Sequence, residues 1–348
     1  MNFELSPEQE MLREMLQRFM TEKCGRDVVR AIVDGQDEWA AELWNAMQQL
    51  GLLGIGIDEI LGGTGGCLME VCLVAEALGH GLAPVPFVPT ALVSQIIARF
   101  GNEHQRERLL PGIIAGGVRT TIAAIDGQFA DGTISGTAPI ALDGAIADIA
   151  LLATNTHLVI VPLDGPHVTR TPIGSVDRTR SIARLSLAAA PADALPDAAL
   201  DWWQDAAAVL SGFEQLGGTE RVIAMTRTHV LERRSFGRAI GSYQAVKHRL
   251  VDMHIKALIA RAHAYHGAWA LMTDAPERRL AAAGARVAAS EAYRFSAREG
   301  LQLHGAMGTS WEHDAHLHLR RAEMLGLVWG GSRIWKERVV VQLEQAHV

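Results

Sequence analysis

The sequence predicts an α+β protein that is mostly α, with a helical N-terminal domain over residues 1–119, a small middle β domain over 120–196 and a C-terminal four-helix bundle over 197–348. Apolar residues recur at helix spacing at both ends of the chain. In the middle, β-branched residues gather in short runs broken by Asp-Gly and Gly-Pro pairs. The length of 348 residues, 49% of them hydrophobic and 20% charged, suits two or three packed domains.

The N-terminal helices begin at Ser6, where Ser can cap a helix with Pro7 in its first turn, and Leu12, Met15, Phe19 and Met20 supply the apolar stripe. Asp37 to Leu50 continues the pattern with Trp39, Leu43, Trp44 and Met47, and Met69 to Leu78 repeats it until Gly79-His80-Gly81 is expected to end the helix. Thr120–Ile125, Ile149–Ala153 and His157–Val161 read as strands, and Pro191–Pro196 reads as a linker. Beyond Ala199, the runs Arg221–Arg233, Tyr243–Leu271 and Ala281–Gln302 each fit a bundle helix.

Bulk properties exclude several function classes. A net charge of −7 gives no basic field for nucleic acid or an anionic membrane surface. Three cysteines, Cys24, Cys67 and Cys72, form neither a disulfide framework nor a Cys-x-x-Cys zinc pair. The first ten residues are acidic where a secretory leader is basic, and no run of eighteen apolar residues occurs, so a cytoplasmic location without membrane insertion is expected.

The segment from Glu232 to Gln244 joins a basic helix end to an aromatic, a glycine turn and a new helix. Taken alone it is ambiguous, since a basic residue complements a helix C-terminus and Gly237 can be a C-cap. A second turn, Gln302-Leu303-His304-Gly305-Ala306-Met307-Gly308, follows a helix and is also weak by itself. Arg233, Phe236, Gly237 and Gln244, in the order Arg-x-x-Phe-Gly with Gln seven residues later, resemble a signature of the acyl-CoA dehydrogenase family. The second turn is similar to that family's Gln-x-x-Gly-Gly-x-Gly segment, with Ala306 in place of the second glycine. Leu50–Ile55, the glycine run Gly62–Gly66, Glu76–Gly79, Gly101–Gln105 and Leu109–Pro111 match in order, so the resemblance extends from Phe3 to Glu337.

The resemblance implies an FAD-dependent α,β-desaturation of an acyl-CoA thioester, with Arg233, Phe236, Gln244, Gln302, Gly305 and Ala306 as cofactor-binding residues at the adenosine-diphosphate end of FAD. A guanidinium fork suits a diphosphate. The family's base is a carboxylate in a dry pocket, at one of two positions. The first matches Trp329-Gly330-Gly331-Ser332, where Gly330 fills the base slot. The second falls on Ala207 in an ungapped match, and a register two residues different brings in Asp205. No catalytic residue is therefore assigned.

The middle domain also lacks the family's Thr-Glu-Pro-x-x-Gly-Ser-Asp-like segment around the flavin ring, which marks it as shortened. Together these losses resemble the degenerate subunit of heterotetrameric acyl-CoA dehydrogenases, in which a full-length partner subunit supplies the base and shares the FAD. Such heteromers act on bulky thioesters such as steroid degradation intermediates. A self-sufficient homo-oligomeric flavoenzyme with a non-standard base, or a flavin-free scaffold, are the alternatives. Asp205, Glu214, Glu220, Glu312 and Glu323 are the other carboxylates to weigh. Glu323 reads as paired with Arg320 or Arg321, and Glu214 and Glu220 as solvated or helix-start charges. His313, His316 and His318 invite a metal site, which is set aside in favour of a polar helix start, and Trp202, Trp203, Trp329 and Trp335 read as packing residues.

Overall fold

The computed structural model describes residues 4–346, so Phe3, where the family resemblance begins, lies outside them. The helices of the first third are α1 (Pro7–Lys23), α2 (Arg26–Val33), α3 (Ala41–Gln49), α4 (Leu68–His80), α5 (Phe87–Phe100) and α6 (Glu103–Ile114). Strands follow as β1 (Thr120–Ala124), β2 (Asp126–Ala130), β3 (Thr133–Leu142), β4 (Ile149–Ala153), β5 (Leu158–Pro162), β6 (Val168–Pro172), β7 (Ile182–Pro191) and β8 (Asp193–Ala194). The remainder is α7 (Asp197–Glu232), a small hairpin of β9 (Arg234–Ser235) and β10 (Arg238–Ala239), then α8 (Gln244–Met272), α9 (Arg278–His304), α10 (Ala306–Thr309), α11 (Ala315–Leu325) and α12 (Ser332–Ala346).

Contacts divide the chain into two compact units that do not follow sequence order. One gathers Met1–Thr21, Cys72–Ala83 and Ala208–Val348; the other gathers Glu22–Val71 and Pro84–Ala207. In the second unit, β2-β3-β7-β6 forms an antiparallel sheet and β1-β4-β5-β8 a mixed one, in which β1 and β4 run parallel. Ile134, Ala138, Leu185 and Leu187 of the first sheet share one apolar core with Ala123, Leu152, Val159 and Val161 of the second. Strand β1 passes to β2 across Ile125 alone. A buried ion pair between Arg180 and Asp143 ties the end of β3 to the approach of β7.

In the first unit the N-terminus of α1 is a capping box. The Ser6 hydroxyl accepts from the Gln9 amide at 3.3 Å, and the Gln9 side chain accepts from the Ser6 amide at 3.0 Å. Helix α4 ends at His80, within the expected Gly79-His80-Gly81 stop. Gly79 also serves helix packing: a Cβ there would lie 1.9 Å from the Glu214 carbonyl oxygen, and one at Gly217 would lie 1.8 Å from that of Glu76. The two glycines let the backbones of α4 and α7 touch. For the same reason the expected helix start near Arg221 gives way to a single 36-residue α7 running through Gly212, Gly217 and Gly218. A side chain at Gly218 would meet the Tyr293 ring of α9 at 2.4 Å.

Candidate functional site

After α7 the chain makes a two-residue β-hairpin with Ser235 paired to Arg238 and Arg234 to Ala239. Its central residues, Phe236 at φ 52° and Gly237 at φ 79°, are both left-handed, as the tight hairpin turn with the right twist demands. Gly237 is thus the second turn residue and not a helix cap. Phenylalanine is an unfavourable occupant of that conformation, and this one is 94% exposed, so the fold gains almost nothing from its ring. Tyr243 braces the hairpin from the N-cap of α8: its hydroxyl donates to the Ser235 carbonyl at 3.2 Å and its ring lies 3.9 Å below the Arg238 guanidinium.

Arg233 and Gln244 flank this hairpin and are exposed, as are Gln302, Gly305 and Ala306 at the end of α9. Among the described residues, the side chains of Arg233, Gln244 and Gln302 make no hydrogen bond or ion pair. Gly305 takes φ 63° and ψ −145°, a conformation essentially restricted to glycine, and a Cβ there would meet nothing within 4 Å. The turn therefore presents open backbone, which suits the close approach of a nucleotide. The sequence-predicted cofactor residues thus fit an anionic, planar ligand: uncommitted donors, an exposed aromatic and bare main chain.

These two segments, distant in sequence, are joined in space by imidazoles. His229 in the last turn of α7 stacks on His304 at the end of α9 with ring centroids 4.3 Å apart, and His304 meets His313 at 4.6 Å. Sequence reasoning missed this column. His313 lies ahead of α11, which begins at Ala315, in keeping with the expected polar helix start. His316 lies against Trp311, while His318 bonds the Tyr293 hydroxyl at 2.9 Å. Among the described residues no group of three His, Cys, Asp or Glu is arranged to hold a metal.

Neither position that the family resemblance suggests for a base holds a carboxylate. Ala207 is fully buried in α7. Gly330 sits at φ 108° after Trp329 at φ 56°, and the Trp335 indole donates to the Gly330 carbonyl at 3.0 Å. A Cβ at Gly330 would come within 3.3 Å of that indole nitrogen. From the inside, the buried Arg286 guanidinium donates to the carbonyls of Leu325 and Val328, at 2.7 Å for the latter, fixing the exit of α11 that leads into this turn. Burial lowers the Arg286 pKa to about 10, with the carboxylate of Glu214 partly opposing the shift.

The remaining carboxylates are committed elsewhere. Glu214 is not solvated: it is buried in mid-α7 and paired with the equally buried Arg321 at 2.9 Å. Glu220 pairs with Arg261 of α8, which also holds the buried Glu76 at 2.7 Å. Glu323 bonds Arg294 at 3.0 Å and Arg298 at 2.7 Å, both from α9, and not its neighbours Arg320 and Arg321, because the latter turns inward to Glu214. Those two guanidinium groups hold the Glu323 carboxyl below its usual range despite the upward pull of desolvation. Asp205 is buried two residues before Ala207.

The acyl-CoA dehydrogenase N-terminal domain matches residues 6–117 and the acyl-CoA dehydrogenase C-terminal domain matches residues 205–342. The chain belongs to the acyl-CoA dehydrogenase family. It is 33% identical to the acyl-CoA dehydrogenase IpdE2 of Mycobacterium tuberculosis, over 90% of this chain and 91% of that one. Among solved structures, it superposes on a variant of the Tcur3481-Tcur3483 steroid acyl-CoA dehydrogenase with a TM-score of 0.92 at 26% identity, covering 98% of each chain. The ChsE4-ChsE5 complex of Mycobacterium tuberculosis gives a TM-score of 0.91 at 25% identity, covering 99% of each chain. The family match falls on the helical regions that flank the sheets, and the α+β, mostly α fold is that of the family. Among the described residues no helix is long and apolar enough to cross a membrane.

Proposed function

We propose that this chain is a subunit of an FAD-dependent acyl-CoA dehydrogenase that contributes contacts to the adenosine-diphosphate end of FAD, while a full-length family member supplies the catalytic glutamate and the contacts around the flavin ring. The observation that carries this is the contrast within one chain. Arg233, Phe236, Gln244 and Gln302 are kept exposed and uncommitted, whereas Gly330 occupies the base slot in a left-handed turn closed by Trp335. The one-residue passage from β1 to β2 at Ile125 supports the same division, since it leaves no loop to reach a flavin ring.

In this arrangement Arg233 holds the diphosphate through charge-assisted hydrogen bonds, Phe236 covers it, and Gln244, Gln302 and the Gly305-Ala306 backbone orient the nucleotide. When bound, FAD supplies the hydride acceptor for desaturation of the acyl-CoA. Proton abstraction from the thioester is the partner's task, because this chain has no carboxylate at either base position. Assembly with a second chain as a heterotetramer is favoured by an apolar stripe on α8. Val251, Ile255, Leu258 and Ile259 recur at one helix face and are exposed, the kind of patch that marks an interface. That a structural relative is a steroid acyl-CoA dehydrogenase points to a bulky polycyclic CoA thioester as substrate.

Purification alone and after co-expression with a full-length family member tests this. The isolated chain is expected to carry no stoichiometric flavin and no turnover, and the complex to carry both. Flavin and turnover in the isolated chain would establish instead a self-sufficient enzyme with another base. A complex whose flavin content is untouched by Arg233→Ala would leave this chain a scaffold.

A further inference from the structure

The two candidate cofactor segments of this chain lie far apart in sequence, and the imidazoles meet where α7 and α9 pack, one turn beyond the close approach of Gly300 to Val222 and Thr226. His229 lies one helical turn before Arg233, whose amide donates to the His229 carbonyl at 2.8 Å. His304 immediately precedes Gly305 and is buried. Its Nδ1 lies 2.7 Å from the Gly300 carbonyl, so Nδ1 carries the proton and Nε2 is left as an acceptor in the neutral ring. His313 accepts at Nδ1 from the Ala315 amide at 3.1 Å, which puts its own proton on Nε2. The His229 and His304 planes are only 28° apart at 4.3 Å, which is stacking distance for uncharged rings.

We propose that the stacked imidazoles of His229 and His304, with His313 tilted against His304, are a positioning element that sets the Arg233–Gln244 segment against the Gln302–Ala306 turn, and that protonation of this cluster releases the cofactor. This rests on the half-site function proposed above. One proton on the column is tolerable; a second puts two like charges within a stacking distance and forces the rings apart. Separation carries Arg233 away from Gly305, because each is anchored within four residues of its histidine. The charged and titratable groups that act on His229 are His304 from α9, His313 from the segment ahead of α11, and Arg233 and Glu232 from its own helix. Burial first, and then three of these four groups, disfavour its protonation, with Glu232 alone favouring it. His313 is itself flanked in sequence by Glu312 and Asp314.

The test uses the co-expressed complex and follows release of FAD by the rise of free-flavin fluorescence as the pH is lowered from 7.5 to 5.5. The wild-type complex is expected to begin losing flavin in the lower part of this interval, because burial and its neighbours hold His229 below its ordinary range. His304→Phe keeps a flat ring in the column but removes a titratable group, and should retain at least threefold more flavin at pH 5.5. His304→Ala breaks the column and should lose flavin already at pH 7.5. His229→Phe provides the same comparison should the His304 variants fold poorly. Superimposable release curves for wild type and both Phe variants would overturn the proposal. A second readout needs no cofactor: in the isolated chain labelled at histidine, the ring resonances of His229 should titrate with a higher midpoint once His304 is replaced by Phe. An unmoved midpoint would also overturn it. Loss of flavin on Arg233→Ala, together with unshifted Phe variants, sinks the column alone; flavin unaffected by Arg233→Ala sinks the half-site function beneath it.

Discussion

Replacing Phe236 with Asn separates what the hairpin needs for folding from what it is kept for. An ordinary L residue in the left-handed region costs about 1–2 kcal/mol, a penalty Asn largely escapes, and Asn-Gly is the favoured pair for this turn. The ring is 94% exposed, so losing it removes only about 0.1–0.2 kcal/mol of the roughly 2–3 kcal/mol that a fully buried Phe contributes. Phe236→Asn is therefore expected to leave the isolated chain as stable as wild type or more stable, by up to about 1 kcal/mol. Urea unfolding followed by circular dichroism would show this as a raised midpoint at unchanged slope. The same substitution should lower the flavin content of the co-expressed complex. Destabilisation by about 1 kcal/mol or more would show that the ring packs in the fold, and undiminished flavin would show that it does not meet the cofactor; either result refutes the assignment.

Further outcomes follow from the same geometry. Arg286→Ala removes a buried guanidinium and leaves the Leu325 and Val328 carbonyls without their donor, which should cost about 3 kcal/mol or more in denaturant unfolding. Gly217→Ala puts a Cβ 1.8 Å from the Glu76 carbonyl and 2.9 Å from the His80 amide, with no rotamer to relieve it, so a cost of about 3 kcal/mol and poor yield are expected. The neighbouring Gly212→Ala meets only ordinary contacts at 3.7 Å and should be neutral or stabilising by about 0.5–1 kcal/mol, a contrast read from paired thermal melts. His318 is buried beside Arg221, His80 and Arg321, and desolvation first, then those charges, hold its pKa well below 6.5. Below that pH the unfolded chain binds more protons than the folded one. Stability is thus full above pH 6.5 and declines as the pH falls below it. His80 and His229 shift in the same direction. His318→Gln should flatten the decline between pH 7.5 and 5.5, measured as the urea midpoint at each pH.

What the sequence made legible was whatever depends on neighbours in the chain. The Ser6-Pro7 start of α1, the β-branched runs at Thr120 and Ile149 and the long helical periods after Ala199 all declare themselves locally. The packing roles of Gly79 and Gly217 did not, because a glycine that ends a helix and one that admits a second helix look alike until the partner is placed. Glu214 and Arg321 are distant in sequence, so their burial as a pair could not be told from two solvated charges. The hairpin at Phe236 was hidden because it lacks the Asn-Gly or Asp-Gly code that normally signals such a turn. The candidate cofactor residues were found through family motifs, not through chemistry readable from the residues themselves. The imidazole column carries no motif, although a histidine directly ahead of the Gly305 turn was the available clue.

The central claim is that this chain holds half of a cofactor site, and the flavin content of four preparations tests it most directly: the isolated chain, the co-expressed complex, and each again with Arg233→Ala. Flavin should be present only in the wild-type complex at full occupancy, and the substitution should weaken its retention about 10-fold or more, the loss of one or two charge-assisted hydrogen bonds. Stoichiometric flavin in the isolated chain, or a complex indifferent to Arg233→Ala, would contradict it.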